Sequence, residues 1–458
     1  MKQTRRDLLR YSACGLLGRA AFLSGFDRFS MVSAMAAPAA DATDYKALVC
    51  IFMFGGNDAN NMIVPLANYA NYATNRGVLA LTQAQLLQIT SKGLVKYGLH
   101  PNLGSAQPNQ ASLYSLFQSG AVAVVSNVGT LTAPIQKADY LAGTRPNQLF
   151  SHSDQQAQWQ TSISTASSAT GWGGRIADVT KAAGTAFPSI CSVAGVSVFS
   201  QGASTQPLAI APAPTPLNQT LRLVKPDTAI QQILTVDQSA AAPTLVRDSD
   251  NITQFALNNS ALLSTNLTLT TTFPATGLGN QLNQVAKLIS LRASLGIKRQ
   301  IFFCSIGGFD THTVQLSTQV SLLQQLSDAM AAFYNATREL GVSSQVTSFT
   351  LSDFSRTFKP AGNAAATVGS DHAWGSHHFV MGDSVKGGDF YGMFPDLAVG
   401  GSQDADSGAG ARGRWIPTTS VDEYAATLAL WYGLANTDLP LAFPNIGRFA
   451  MTNLGFMM

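Results

Sequence analysis

Three of the four long apolar runs in this chain stop in the same way, at a turn of small residues that carries an aspartate. Tyr45–Phe54 (YKALVCIFMF) ends in Gly55-Gly56-Asn57-Asp58, Arg299–Ile306 (RQIFFCSI) in Gly307-Gly308-Phe309-Asp310, and Gln345–Leu351 (QVTSFTL) in Ser352-Asp353. The fourth run, Ala121–Asn127 (AVAVVSN), leads into a loop rich in turn residues. Continuous apolar runs of this length read as strands buried on both faces, as in a parallel sheet covered by helices. Helical patterns at Gln155–Gln160, Gln284–Leu295, Val314–Leu340 and Val421–Gly433 lie between and after them. The expected fold is therefore α/β, a doubly wound and mostly parallel sheet flanked by helices.

Open α/β sheets bind ligands beyond the carboxyl ends of their strands. Asp58, Asp310 and Asp353 are thus expected to share one crevice, where like charges repel unless a cation lies between them. The histidines point the same way. His312 stands two residues after Asp310, His372 follows Asp371, and His377 and His378 fall in a Gly- and His-rich loop over Gly362–Gly388. Imidazole with carboxylate, and no paired cysteine spacing, suits zinc, manganese or iron, whereas an all-oxygen set would suit magnesium or calcium. A divalent metal is the expectation, zinc first, as one or two ions. Arg356 reads either as a fork for an anionic oxygen or as the partner of a carboxylate in the wall. Gly55-Gly56 reads either as a close backbone approach to a ligand or as a plain tight turn.

The N-terminus is a targeting segment. Thr4-Arg5-Arg6-Asp7-Leu8-Leu9 is a twin-arginine signal, a weakly apolar stretch follows, and Ala34-Met35-Ala36 offers a cleavage site. Residues 1–40 are assigned to signal and spacer, and residues 41–458 to one α/β domain. A Ser/Thr-rich insertion at about 197–279 is read as a cap subdomain or a set of long loops. Residues 1–37 hold six Lys/Arg and two Asp, so the formal charge of +3 falls to −1 in the remainder. A near-neutral chain without basic runs gives no electrostatic case for nucleic acid or for an anionic membrane surface, and no run is long and apolar enough for a stable membrane span. The expected location is periplasmic or extracellular, with the twin-arginine translocase as the partner during export.

Phe54-Gly-Gly-Asn-Asp58, Gly307-Gly-Phe-Asp-Thr-His312, Ser352-Asp-Phe-Ser-Arg-Thr357, Ser370-Asp-His-Ala-Trp-Gly-Ser-His-His378 and Ile416-Pro-Thr-Thr-Ser-Val421 closely resemble the bacterial family called domain of unknown function 1501. That family is distantly similar to the alkaline phosphatases and sulfatases. The resemblance implies an alkaline-phosphatase-like fold and metal ligands at Asp58, Asp310, His312 and Asp353. It also implies ligands from Asp371, His372, His377 and His378, with Phe354 standing where the superfamily has a histidine. It places the nucleophile at Ser151, at the start of a helix, with Arg356 or His152 steadying charge on the transferred group. Ser151 also reads as a plain helix cap. The functional expectation is an exported metal-dependent hydrolase of phosphate or sulfate esters, taking a small-molecule or polymeric anionic ester as substrate. The alternative is a non-catalytic exported binding or assembly protein on the same fold.

Overall fold

A computed structural model describes residues 45–105, 110–181, 187–219, 247, 263 and 268–458. The signal segment and most of the Ser/Thr-rich insertion lie outside the described residues. The four apolar runs form β1 (Lys46–Met53), β5 (Val122–Gly129), β8 (Arg299–Ile306) and β9 (Val346–Ser352). Between β1 and β5 come β2 (Ile63–Pro65), β3 (Leu87–Thr90) and β4 (Lys96–Leu99), which make a small antiparallel sheet of their own. The main sheet is completed by β6 (Ile190–Ser192), β7 (Leu208–Ala209), β10 (Ser376–Met381), β11 (Phe390–Tyr391) and β12 (Thr419–Ser420). Its order is β11-β5-β10-β9-β1-β8-β6-β7, with β12 also on β5. Every pairing is parallel except those of β10, which runs antiparallel to β5 and β9.

The alternation along β1 shows why both faces must be covered. Ala47, Val49, Ile51 and Met53 enter one core, while Leu48, Cys50 and Phe52 enter the other. Among the helices are α1 (Tyr69–Arg76), α2 (His152–Thr161), α3 (Trp172–Thr180), α4 (Gly277–Ser290), α5 (Gln315–Glu339) and α6 (Val421–Tyr432). Apolar residues of α4 and α5 fill the first core, and those of α3 and α6 the second. The α/β architecture, mostly parallel and wound on both faces, is the one expected. The part of the insertion that is described places β7 beside β6 at the sheet edge.

One strand differs from the sequence reading. Ser376–Met381 lies inside the stretch expected to be a loop, yet it forms β10, between β9 and β5. Its two histidines concealed it, because paired histidines look like a polar loop and not a buried strand. Both are buried, and burial pushes each imidazole down to about 3. They are therefore neutral rings in a packed sheet. His377 stacks on Phe394 with ring centroids 4.4 Å apart, and its Nδ1 accepts from the Asn127 N–H. His378 lies between Trp159 and Tyr424.

Helix α6 carries a second buried titratable group. Burial of Asp422 pushes its carboxyl up to about 7. In the unfolded chain the group ionises near its ordinary value of 3.8. Between those values the folded state holds the proton and the unfolded state does not, so stability falls as pH rises through that window. Asp422→Asn is expected to remove that slope. Its unfolding free energy should match the parent near pH 4 and exceed it by a few kcal/mol near pH 8. A difference independent of pH in denaturant titrations would contradict this.

Candidate metal centre

β9, β1 and β8 are neighbours at the centre of the sheet, so Asp353, Asp58 and Asp310 leave it side by side. The turn after β1 is too tight for side chains. A Cβ on Gly55 (φ +112°) would lie 2.3 Å from the Asp310 nitrogen, and one on Gly56 (φ +83°) 2.5 Å from the Phe354 ring. The glycines thus admit the protein's own backbone and ring, so the β8 turn closes over the β1 turn.

Asp310 is the hub. Its Oδ1 lies 3.1 Å from His312 Nε2, 3.4 Å from His152 Nε2 and 3.5 Å from His372 Nε2. His312 Nε2 and His372 Nε2 are 2.9 Å apart. The ligand atoms of His152, Asp310 and His372 all fall within 4.8 Å of one another. The other nitrogen of two of the rings is tied down by a hydrogen bond. His152 Nδ1 donates to Asp353 Oδ2 at 2.7 Å, and His372 Nδ1 donates to the Phe150 carbonyl at 2.7 Å. His312 Nδ1 faces Asp371 Oδ1 at 3.4 Å. In His152 and His372 donation through Nδ1 leaves Nε2 bare, so two lone pairs and a carboxylate oxygen meet in one place, with His312 Nε2 beside them. His152 Nε2 is buried and finds no hydrogen-bond partner. Negative and lone-pair density packed this closely calls for a cation.

With Zn–N and Zn–O bonds of about 2.0–2.1 Å, the edges of a tetrahedron are about 3.3–3.4 Å; the Asp310 contacts to His152 and His372, 3.4 and 3.5 Å, are close to that value, and these three residues form the group whose ligand atoms lie within 4.8 Å of one another. Carboxylate, carbonyl and carboxylate behind the three rings are the partners that fix tautomer and orientation in metal-binding histidines.

The electrostatics follow from the contacts. The Asp353 hydrogen bond raises the His152 pKa against the opposing effect of burial. Burial pushes Asp310 up, but the hydrogen bond and charge of Arg356 outweigh it and hold the carboxyl below its ordinary value. Burial, together with the charges of Arg356, His152 and His312, lowers His372. Arg356 is fully buried; its Nη1 donates to Asp310 Oδ1 at 2.8 Å and its Nη2 to the Ser370 carbonyl. Phe354 packs its ring on both His152 and His372, at 4.8 and 4.6 Å, and walls the site.

The family profile described as "Protein of unknown function (DUF1501)" matches residues 45–405. The chain belongs to that family. No curated protein matches it. Among solved structures, this DUF1501 protein is similar to Ps i-CgsB in complex with k-i-k-neocarrahexaose, at 6% identity and a TM-score of 0.32, covering 87% of this chain and 74% of that one. It is also similar to the PsFucS1 sulfatase from Pseudoalteromonas sp., at 10% identity and a TM-score of 0.28, covering 87% and 69%. Neither likeness is close enough to argue from.

Within the DUF1501 protein the residues singled out by sequence part into three groups. Asp310, His312, His372 and His152 come together. Asp353 and Asp371 stand behind them as partners of ring nitrogens. Asp353 also accepts from Gln156 Nε2 at 2.8 Å and from the Gly55 N–H, and Asp371 pairs with Arg412 at 2.9 Å. Asp58, His377 and His378 stand elsewhere. The Asp58 carboxylate is buried against Arg76 and takes further hydrogen bonds from Gln315 Nε2 and the Asn60 N–H. His377 and His378 are held in β10. Ser151 occupies the cap position of α2, yet its hydroxyl caps nothing and donates to Asp154 Oδ2 at 2.6 Å. The turn before it is strained, with positive φ at Gln148 and Phe150. Sequence reading missed Gln156, Asp154 and the Phe150 carbonyl. Gln156 was findable, being four residues after His152 on the same helix face; a carbonyl has no sequence signal.

Two substitutions separate these groups. Asp310→Ala is expected to abolish metal binding. Asp58→Asn should retain it and cost about 3–5 kcal/mol of stability, because Arg76 is left buried without its counter-charge. Elemental analysis and denaturant titration of both variants check this. Loss of metal from Asp58→Asn in a folded protein, or its retention by Asp310→Ala, would contradict the assignment.

Proposed function

We propose that this chain is an exported metal-dependent hydrolase of phosphate or sulfate esters, with one ion held by His152, Asp310, His312 and His372. The observation that carries the reading is the meeting of three imidazole Nε2 atoms at one oxygen of Asp310. A divalent ion bound there would supply Lewis-acid polarisation and charge neutralisation for an anionic ester. The chain's own residues do the rest. Asp353, the Phe150 carbonyl and Asp371 aim the three rings, and buried Arg356 keeps Asp310 ionised. Arg412, paired with Asp371, and Arg414, which pairs with Asp406 and donates to the His372 carbonyl, are partly exposed next to the site. Ser151 offers a hydroxyl one residue from His152, with its proton held by Asp154. Export rests on the twin-arginine sequence at Thr4–Leu9. Among the described residues no helix is long and apolar enough to cross a membrane.

One observation favours the second reading, a non-catalytic binding or assembly protein. If His312 joins His152, Asp310 and His372, four protein ligands fill the shell of a tetrahedral ion, as in structural zinc sites, and leave no open position. A metal with five or six positions would keep one open. Metal-loaded protein assayed on aryl phosphates, phosphodiesters and aryl sulfates decides between them. The hydrolase reading expects turnover that Asp310→Ala abolishes and Asp353→Asn lowers about 10- to 100-fold. Bound metal with no turnover on any of these esters supports the second reading.

A further inference from the structure

We propose that the tip of the β3–β4 hairpin docks this protein on an anionic phospholipid surface, at the end of the sheet away from the metal centre. The tip, Lys92-Gly93-Leu94-Val95-Lys96, is exposed at all five positions. Leu94 is 81% exposed and stands at φ +60°. Its N–H donates to the Ser91 carbonyl at 2.9 Å, and Ser91 N–H donates to the Val95 carbonyl at 2.9 Å, which closes a three-residue turn on a left-handed position. Glycine or asparagine takes that position with least strain. Here leucine holds it, although a glycine is available one residue earlier and has no positive φ. Folding does not need this side chain, because it packs on nothing that would remove it from water. Backbone strain held at a solvent-facing apolar residue points to a role outside folding.

The charge around it names the cover. No acidic residue occurs from Leu81 to Tyr97. Lys92 and Lys96 flank Leu94-Val95 and make no ion pair among the described residues. Lys92 Cε lies 4.0 Å from where a Cβ on Gly388 would stand. The strip beside it carries exposed Lys386, whose N–H donates to the Phe456 carbonyl, and the 74% exposed Met458, whose N–H donates to the Ser384 carbonyl. Exposed apolar tips among lysines match the layered chemistry of an anionic bilayer, with apolar groups entering the acyl boundary and ammonium groups staying at the phosphates. The placement is consistent with function. Gly388 lies against Gly120, at the start of β5, and β5 runs parallel to β9 because β10 is antiparallel to both. The tip is therefore at the amino end of the strands, whereas the metal ligands follow their carboxyl ends. A chain docked this way leaves the centre open to solvent.

The test is co-sedimentation with vesicles of mixed phosphatidylcholine and phosphatidylglycerol, and with vesicles of phosphatidylcholine alone. Residues 1–44 are common to all variants, so differences between variants report the tip. Affinity for the mixed vesicles should fall roughly tenfold in Leu94→Gly, while its unfolding midpoint stays equal or rises as the strain is relieved. Lys92→Gln and Lys96→Gln should each reduce the preference for anionic vesicles about fivefold. Vesicle binding that is absent in the parent chain, or unchanged in Leu94→Gly and in both lysine variants, overturns the proposal.

Discussion

Three carboxylates at the ends of three adjacent strands set the terms for the rest of this structure. A buried carboxylate without a counter-charge is costly enough to protonate or to unfold its surroundings. Asp58 and Asp353 are buried and Asp310 is half exposed, and each has its own partner, an arginine for Asp58 and for Asp310 and an imidazole N–H for Asp353. Asp58 is closed off by Arg76, Asp310 is held by Arg356, and Asp353 is held by His152. The like-charge crowding that the sequence implies is real, but arginines relieve part of it. Only around Asp310 do ring nitrogens accumulate as well, beside an oxygen that Arg356 already holds.

This division explains why the elements around the site look as they do. Helix α2 is weakly amphipathic, and its contribution is positional. It presents His152 and Gln156 to the same oxygen of Asp353. The strained turn before it presents the Phe150 carbonyl to His372. Phe354 packs on two of the rings and walls the site.

Much of the fold was legible because burial on both faces leaves an unambiguous mark. Lys46–Met53 and Arg299–Ile306 are largely apolar without alternation, short and followed by glycine turns, as a covered parallel strand requires. The Asp310–His312 pair was legible for the same reason, since it follows a strand end directly. β10 was not, because His377 and His378 are chemically ambiguous: a neutral imidazole packs in a core as readily as it binds a metal, and only the neighbours decide. Asp58 was misleading in the same sense. Its strand-end position matches Asp310, but its fate was set by Arg76, which lies 18 residues away in the chain on a helix whose pattern gives no hint of it. The role of His152 was half visible, as a residue beside the expected nucleophile, while its place among the ring nitrogens depends on the course of a loop.

The claim on which the account rests is the identity of the atoms that meet at Asp310. X-ray absorption spectroscopy of the metal-loaded protein measures them directly. The account predicts one ion per chain with imidazole scattering from three rings and an additional oxygen, at about 2.0–2.1 Å if the ion is zinc. An all-oxygen first shell, or a shell with the imidazole signal of a single ring, would contradict it.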